Sequence, residues 1–77
     1  MPQRYPELAN DLSESISRLR TGIPDTMKGF SMMASAATVD GALDPKTKEL
    51  IAIAIGVAVR CDGCIAFHSK AAEKNGA

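Results

Sequence analysis

The run Leu50-Ile51-Ala52-Ile53-Ala54-Ile55-Gly56-Val57-Ala58-Val59 holds ten residues with no charge and no hydrogen-bonding side chain. A membrane-spanning helix needs about 20 such residues, so this run is half a span and reads as a buried or interface helix. A clear start precedes it. Asp44 is a good N-cap, and Pro45 fits the first helical position, where its missing N–H costs nothing. The helix then runs through Lys46, Lys48 and Glu49 into the apolar stretch. A helix that is apolar all round must be covered all round. A chain of 77 residues buries only roughly 60–65% of its unfolded surface. Covering this helix therefore implies oligomerisation.

Three further segments read as helices. From about Pro6 to Arg20, the residues Tyr5, Leu8, Leu12, Ile16 and Leu19 recur at three- and four-residue steps, one face of a helix. Gly22 and Pro24 end it. From about Pro24 to Thr38, Met27, Phe30, Ala34 and Ala37 keep the same period, and Asp25 suits the positive end. Asp40-Gly41 is a turn signal. A last helix begins near Asp62 to Cys64 and stops at Gly76. No segment alternates with period two, so the fold class is all-α, a helical hairpin or bundle subunit. Aromatic residues are few, and the core is expected to come from Leu, Ile, Val, Met and Ala. Met27, Met32 and Met33 read as core or interface filling, and Lys46, Lys48, Lys70, Glu73 and Lys74 as solvated helix faces.

Nine Lys plus Arg balance nine Asp plus Glu. Nucleic acid and anionic membranes both demand a basic excess, so neither is the expected partner. Met1 to Tyr5 lead into polar sequence without a signal-peptide pattern, and the expected compartment is the cytoplasm. Thiols stay reduced there, so a cysteine pair is more often chemical than structural.

The two cysteines stand in Arg60-Cys61-Asp62-Gly63-Cys64-Ile65-Ala66-Phe67-His68. Their loop is too short to stabilise much by closure, and the spacing suits redox exchange or metal binding better than stapling. Cys64 and His68 are four apart, hence one turn apart on the same helix face. The imidazole can take the thiol proton or stabilise the thiolate. Cys61 lies before the helix or at its start, near unpaired N–H groups that favour an anion. Arg60 adds a cation beside it, while Asp62 acts in the opposite sense or caps the helix. Gly63 keeps the turn slim.

Plainer readings stand beside this one. Free cysteines are common small core residues, and a hydrogen bond to a carbonyl is the plainer account of His68. Zinc could take Cys61, Cys64 and His68, with Glu49 or water fourth, but structural zinc sites usually close with four protein ligands. Ile65 follows Cys64 where c-type haem attachment needs histidine. No cofactor is expected. Glu49 directly precedes the apolar run, so a partly buried carboxylate there would suit proton transfer. An acidic residue in a first turn also simply stabilises the helix dipole.

Leu43-Asp44-Pro45-Lys46-Thr47-Lys48-Glu49-Leu50-Ile51-Ala52, then Arg60 to His68, then Ala71-Ala72 and Asn75-Gly76-Ala77 form a string that resembles the carboxymuconolactone decarboxylase family, in its alkyl hydroperoxidase D-like branch. The dense match covers roughly Ala42 to Ala77, and Arg4 to Leu8 and Met27 to Phe30 are similar to small bacterial and archaeal members. The resemblance implies a single all-helical domain over residues 1–77 that assembles into trimers or hexamers. It implies an antioxidant, disulfide-linked peroxidase activity with Cys61, Cys64, His68 and Glu49 as the catalytic relay. A hydroperoxide or small disulfide would be the substrate, and an external thiol the reductant. The better-known peroxidase carries a further histidine where this chain has Gly63. Lactone decarboxylases of the family generally lack the cysteine pair, so its presence favours thiol chemistry over a lyase. A non-catalytic oligomeric module is the third reading. The family normally continues past Gly-Ala with further helix, so the domain reads as truncated at its C-terminus. Cys64 is the favoured nucleophile and Cys61 its resolving partner, with the reverse order open.

One geometric expectation follows. Along a straight helix, Glu49 and Cys61 are about 18 Å apart, while an antiparallel hairpin leaves His68 only about 6 Å from the turn. On that count Glu49 sits too far down to touch His68. The helices must then cross steeply, the third must break at Gly56, or Glu49 must come from a neighbouring subunit.

Overall fold

The computed structural model describes residues 4–77. They form four helices in chain order, α1 (Tyr5–Gly22), α2 (Pro24–Ala37), α3 (Pro45–Ala58) and α4 (Asp62–Lys74), with no strand among the described residues. The fold is all-α, as the periodicity predicts. Each expected helix is present, with ends shifted by one or two residues.

The ends follow local chemistry. Asp44 caps α3, its carboxylate accepting from Thr47 N–H at 2.7 Å. That bond, seconded by the Thr47 hydroxyl, holds the Asp44 carboxyl below the usual aspartate range. Ile23 serves both as C-cap of α1 and as N-cap of α2, so the two helices join with almost no loop. Gly76 closes α4 at φ +96°. Its N–H donates to the Glu73 carbonyl and that of Ala77 to the Ala72 carbonyl, the paired bonds of a Schellman stop.

α4 is the centre of the packing. It lies against α3 on one side and α1 on another, while α2 packs on α1 alone. The tie from α2 to α3 is made by a side chain. Lys48 Nζ donates to the carbonyls of Ala37 and Val39 at 3.1 and 2.6 Å. Lys48 is thus a clamp on the end of α2, where the sequence suggests only a solvated face. Carbonyls left free at a helix C-terminus attract a cation, and these come from residues nine and eleven positions upstream.

The core is small. Among the described residues, Ala9, Met27, Ala66 and Ala72 are its buried apolar residues, and no large side chain is fully buried. Of the expected Leu, Ile, Val, Met and Ala core, the Met and Ala part is what is buried here, an alanine-based seam, and the Leu, Ile and Val part is corrected to half-buried or exposed. Alanine on α1 and α4 and Gly56 on α3 let these helices approach closely, with Leu12 and Ile65 half-buried beside them and others such as Ile55 and Val57 exposed. In this single chain α3 is not covered all round: Ile55 is 57% and Val59 65% exposed. Met32 and Met33 are equally open at 65%, and so are not core here.

Candidate functional site

The site lies along the α3–α4 hairpin. α3 ends in a Schellman stop with an unusual residue in it. Arg60 stands at φ +59°, and its N–H donates to the Val57 carbonyl. The next N–H, of Cys61, donates to the Gly56 carbonyl at 2.9 Å. Cys61 is at once the last residue of that stop and the N-cap of α4. Its Sγ accepts from Cys64 N–H at 3.2 Å. The cap is therefore Cys61 and not Asp62, which sits exposed in the first turn. Cys61 and Cys64 are joined as a disulfide, with Sγ atoms 2.09 Å apart.

Gly56 brings the helices together. A Cβ there would lie 3.2 Å from Cys64 Cβ and 3.5 Å from Ile65 Cγ1 and Ile65 N. This glycine is buried and α3 runs unbroken through it, so the break at Gly56, one of the three alternatives, does not occur. Its small size serves a close crossing with the cysteine-bearing turn instead. On the other side of that turn, a Cβ on Gly63 would meet Leu12 Cδ1 at 2.9 Å. Leu12 of α1 thus occupies the space into which a side chain at 63 would grow. Nothing in the sequence signals either contact, because each depends on a partner helix far along the chain.

Glu49 and His68 are brought together within one chain. His68 Nδ1 is 2.6 Å from Glu49 Oε2. The contact is made within one chain, so no neighbour is needed to supply Glu49. The helix ends, not the cysteines, set the levels. α3 ends at Ala58, which puts Glu49 about 13.5 Å below the turn at 1.5 Å per residue. α4 starts at Asp62, which puts His68 about 9 Å below it. Two side chains span the remaining few ångströms. Glu49 is the one buried charged residue among those described. With Glu49 ionised, the carboxylate can only accept, which makes Nδ1 the donor and leaves Nε2 as the ring nitrogen that Glu49 does not engage. The buried carboxylate orients the ring as an acid–base group needs.

The four sequence-derived candidates thus sit on one hairpin, with two direct contacts: Cys61 with Cys64, and Glu49 with His68. Among the described residues, no three His, Cys, Asp or Glu side chains are grouped to hold a metal ion. A groove of about 270 Å³ lies between α1 and α4, lined by residues such as Ala9, Asn10, Ala66 and Ser69, and it takes in none of the four. No helix of the described residues is long and apolar enough to cross a membrane.

The same hairpin recurs in known proteins. The pattern of the carboxymuconolactone decarboxylase family matches residues 24–77. The chain belongs to this family. A crystal structure of the apo form of a family member from Legionella pneumophila superposes with a TM-score of 0.90 at 48% identity, over 95% of this chain and 65% of that one. A protein of Haemophilus influenzae is 34% identical over 68 residues, covering 88% of this chain and 60% of its own length. A Paracoccus denitrificans protein, described as protein 4 in the cox locus, is 39% identical over 72 residues, 94% of this chain and 61% of its own length. The chain thus spans about three-fifths of these curated relatives. Within the family, it is a member that carries a Cys-x-x-Cys pair at disulfide distance.

Proposed function

We propose that the protein is a thiol–disulfide oxidoreductase with antioxidant, peroxidase-like activity, working in the cytoplasm as a homo-oligomer. One observation carries this reading. The Cys61–Cys64 disulfide opens a helix on which His68, one turn beyond Cys64, is held by the buried Glu49.

In the reduced protein, His68 Nε2 accepts the Cys64 proton while Glu49 steadies the imidazolium. The Cys64 thiolate attacks a peroxide oxygen, the O–O bond breaks, and the alcohol leaves with a proton. Cys64 is now a sulfenic acid. The Cys61 sulfur attacks it, water leaves, and the disulfide closes. Two thiols of an external reductant restore the dithiol. The first attacks Cys64 Sγ, and Cys61 departs as a thiolate stabilised by the N–H groups at the start of α4; the second attacks the reductant sulfur of that mixed disulfide, which frees Cys64 as the thiol and releases the reductant as its disulfide. A small disulfide substrate would be reduced by the same pair.

The test is consumption of an organic hydroperoxide by the pre-reduced wild type and by Cys61→Ser, Cys64→Ser and His68→Ala variants. The expected result is loss of catalytic turnover in both cysteine variants and a fall of about 10²–10⁴-fold for His68→Ala, the usual worth of a general base. Unchanged peroxide turnover in both cysteine variants would sink the proposal. Lactone turnover retained in those variants would favour a lyase instead.

A further inference from the structure

Both helices of the hairpin end in the same Schellman arrangement, but with different residues at the left-handed position. α4 has Gly76 at φ +96°. α3 has Arg60 at φ +59°, the sole non-glycine with positive φ among the described residues. That conformation brings Cβ close to the following carbonyl oxygen, which is why glycine dominates there. The backbone of the motif asks for nothing that an arginine side chain supplies. Its hydrogen bonds, from Arg60 N–H to Val57 and from Cys61 N–H to Gly56, are all main chain. The side chain is exposed, and no hydrogen bond or ion pair of its guanidinium is found among the described residues. An arginine is therefore held in a costly conformation, pointing a free cation into solvent, one residue before Cys61. Strain of this kind at the edge of a reactive site is characteristic of function.

We infer that Arg60 is a specificity residue that draws a carboxylate-bearing disulfide substrate to the cysteine pair. The inference rests on the redox reading above. Guanidinium binds carboxylate through a planar two-pronged fork, which suits an anionic substrate arm. The reaction it serves is balanced by thiol exchange. The Cys64 thiolate attacks one substrate sulfur, the substrate S–S bond breaks, and the first thiol leaves with a proton. Cys61 then displaces the second thiol and closes the protein disulfide. The protein dithiol loses two electrons and two protons, and the substrate disulfide gains them. Asp62, exposed on the other side of Cys61, carries the one opposing charge in the motif. It disfavours anions that approach without the help of Arg60.

The test compares two chromogenic disulfides against pre-reduced protein: dianionic 5,5′-dithiobis(2-nitrobenzoate) and neutral 4,4′-dithiodipyridine. Each rate is divided by that of 2-mercaptoethanol with the same reagent. For Arg60→Gly we expect the dianion rate to fall about five- to tenfold at low salt, with the neutral rate within about twofold of wild type. Arg60→Lys keeps part of the preference, and 1 M salt removes most of it in wild type. Arg60→Gly should also melt at a temperature higher by about 4 °C, since glycine relieves the left-handed strain. An unchanged ratio of the two rates overturns the inference and leaves the redox reading intact. Equal slowing of both reagents overturns it as well, because it makes Arg60 an activator of the thiolate and not a recognition group. A lower melting temperature with an unchanged ratio makes it a structural charge on the end of α3. Failure of the reduced wild type to react with either reagent overturns the redox reading together with the inference.

Discussion

Glu49 Oε2 meets His68 Nδ1 at 2.6 Å across nineteen residues of sequence, and the two side chains are unequally buried, 8% exposed against 38%. The carboxylate is the partner that cannot turn to water. Removing His68 leaves a buried acceptor unpaired, a loss of about 1–2 kcal/mol once the partial exposure of the histidine is allowed for. Glu49→Gln keeps both shape and hydrogen-bonding capacity, and should cost clearly less. Urea unfolding of the oxidised protein with His68→Ala and Glu49→Gln measures this difference. Equal losses would mean that the pair is not a buried donor–acceptor contact.

Gly56 and Cys64 set the spacing of the hairpin. An added Cβ at 56 meets Cys64 Cβ at 3.2 Å, tight but open to a few tenths of an ångström of adjustment. Alanine also gains about 1 kcal/mol of helix propensity over glycine. Gly56→Ala should therefore lie within about 1 kcal/mol of wild type, two opposing effects of similar size. Gly56→Val has no such balance. Its extra methyls push α4 off α3, costing about 2–3 kcal/mol and separating Glu49 from His68. Denaturation midpoints give the first part. A histidine ring NMR signal that loses its carboxylate-bound proton checks the second.

Gly63 is limited by one flexible methyl. The Leu12 Cδ1 atom that a Cβ would touch, at 2.9 Å, is the far end of a side chain with other rotamers available. Gly63→Ala should be tolerated within about 1 kcal/mol. Gly63→His, which would place an imidazole before Cys64, should lose about 1–3 kcal/mol to overpacking. Leu12→Ala should relieve most of that loss. A double-mutant cycle with a coupling energy near zero would show that Leu12 does not hold this space.

What could be read beforehand was whatever is decided locally. Asp44-Pro45 announces the start of α3, and Gly76 the stop of α4, because a cap or a left-handed turn is made by neighbours in sequence. The family resemblance marked Glu49, Cys61, Cys64 and His68 as one group. Counting residues from the cysteines overstates the gap between Glu49 and His68, because their levels depend on where each helix ends. Arg60 gave no warning of its positive φ, since that conformation is normally signalled by glycine. Lys48 looked like surface because its acceptors are main-chain carbonyls, which are the same for every sequence. The apolar run on α3 asks for more cover than one chain supplies, and one chain does leave Ile55 and Val59 open; what else covers them is not written in the run itself, because burial belongs to whatever surrounds a helix.

Cys61 Sγ caps α4 by accepting from Cys64 N–H at 3.2 Å. The cap can be separated from the disulfide by comparing variants that both lack the bond. Serine is among the best N-cap residues and alanine among the poor ones, a difference of about 1 kcal/mol. Cys61→Ser should therefore be more stable than Cys61→Ala by about that amount, although serine is the more polar residue at a half-buried position. Equal stability would mean that the sulfur is only near the amide and contributes no cap.

Asp44 supplies the pH dependence that this fold should show most simply. Its carboxyl lies below the usual range because Thr47 N–H, first of all, donates to the ionised form. A carboxyl depressed in the folded state adds stability above its unfolded value, about pH 4, and loses it as pH falls through the folded value. Asp44→Asn keeps an N-cap acceptor but does not titrate there. The wild type should hold a constant advantage over Asp44→Asn from pH 7 to about pH 5 and lose it steadily below about pH 4. Acid-sensitive groups elsewhere cancel in this difference if they are independent of Asp44. Urea midpoints of both proteins from pH 7 down to about pH 2.5 measure it, and a gap that stays constant or widens in acid would remove Asp44 as a charged cap of α3.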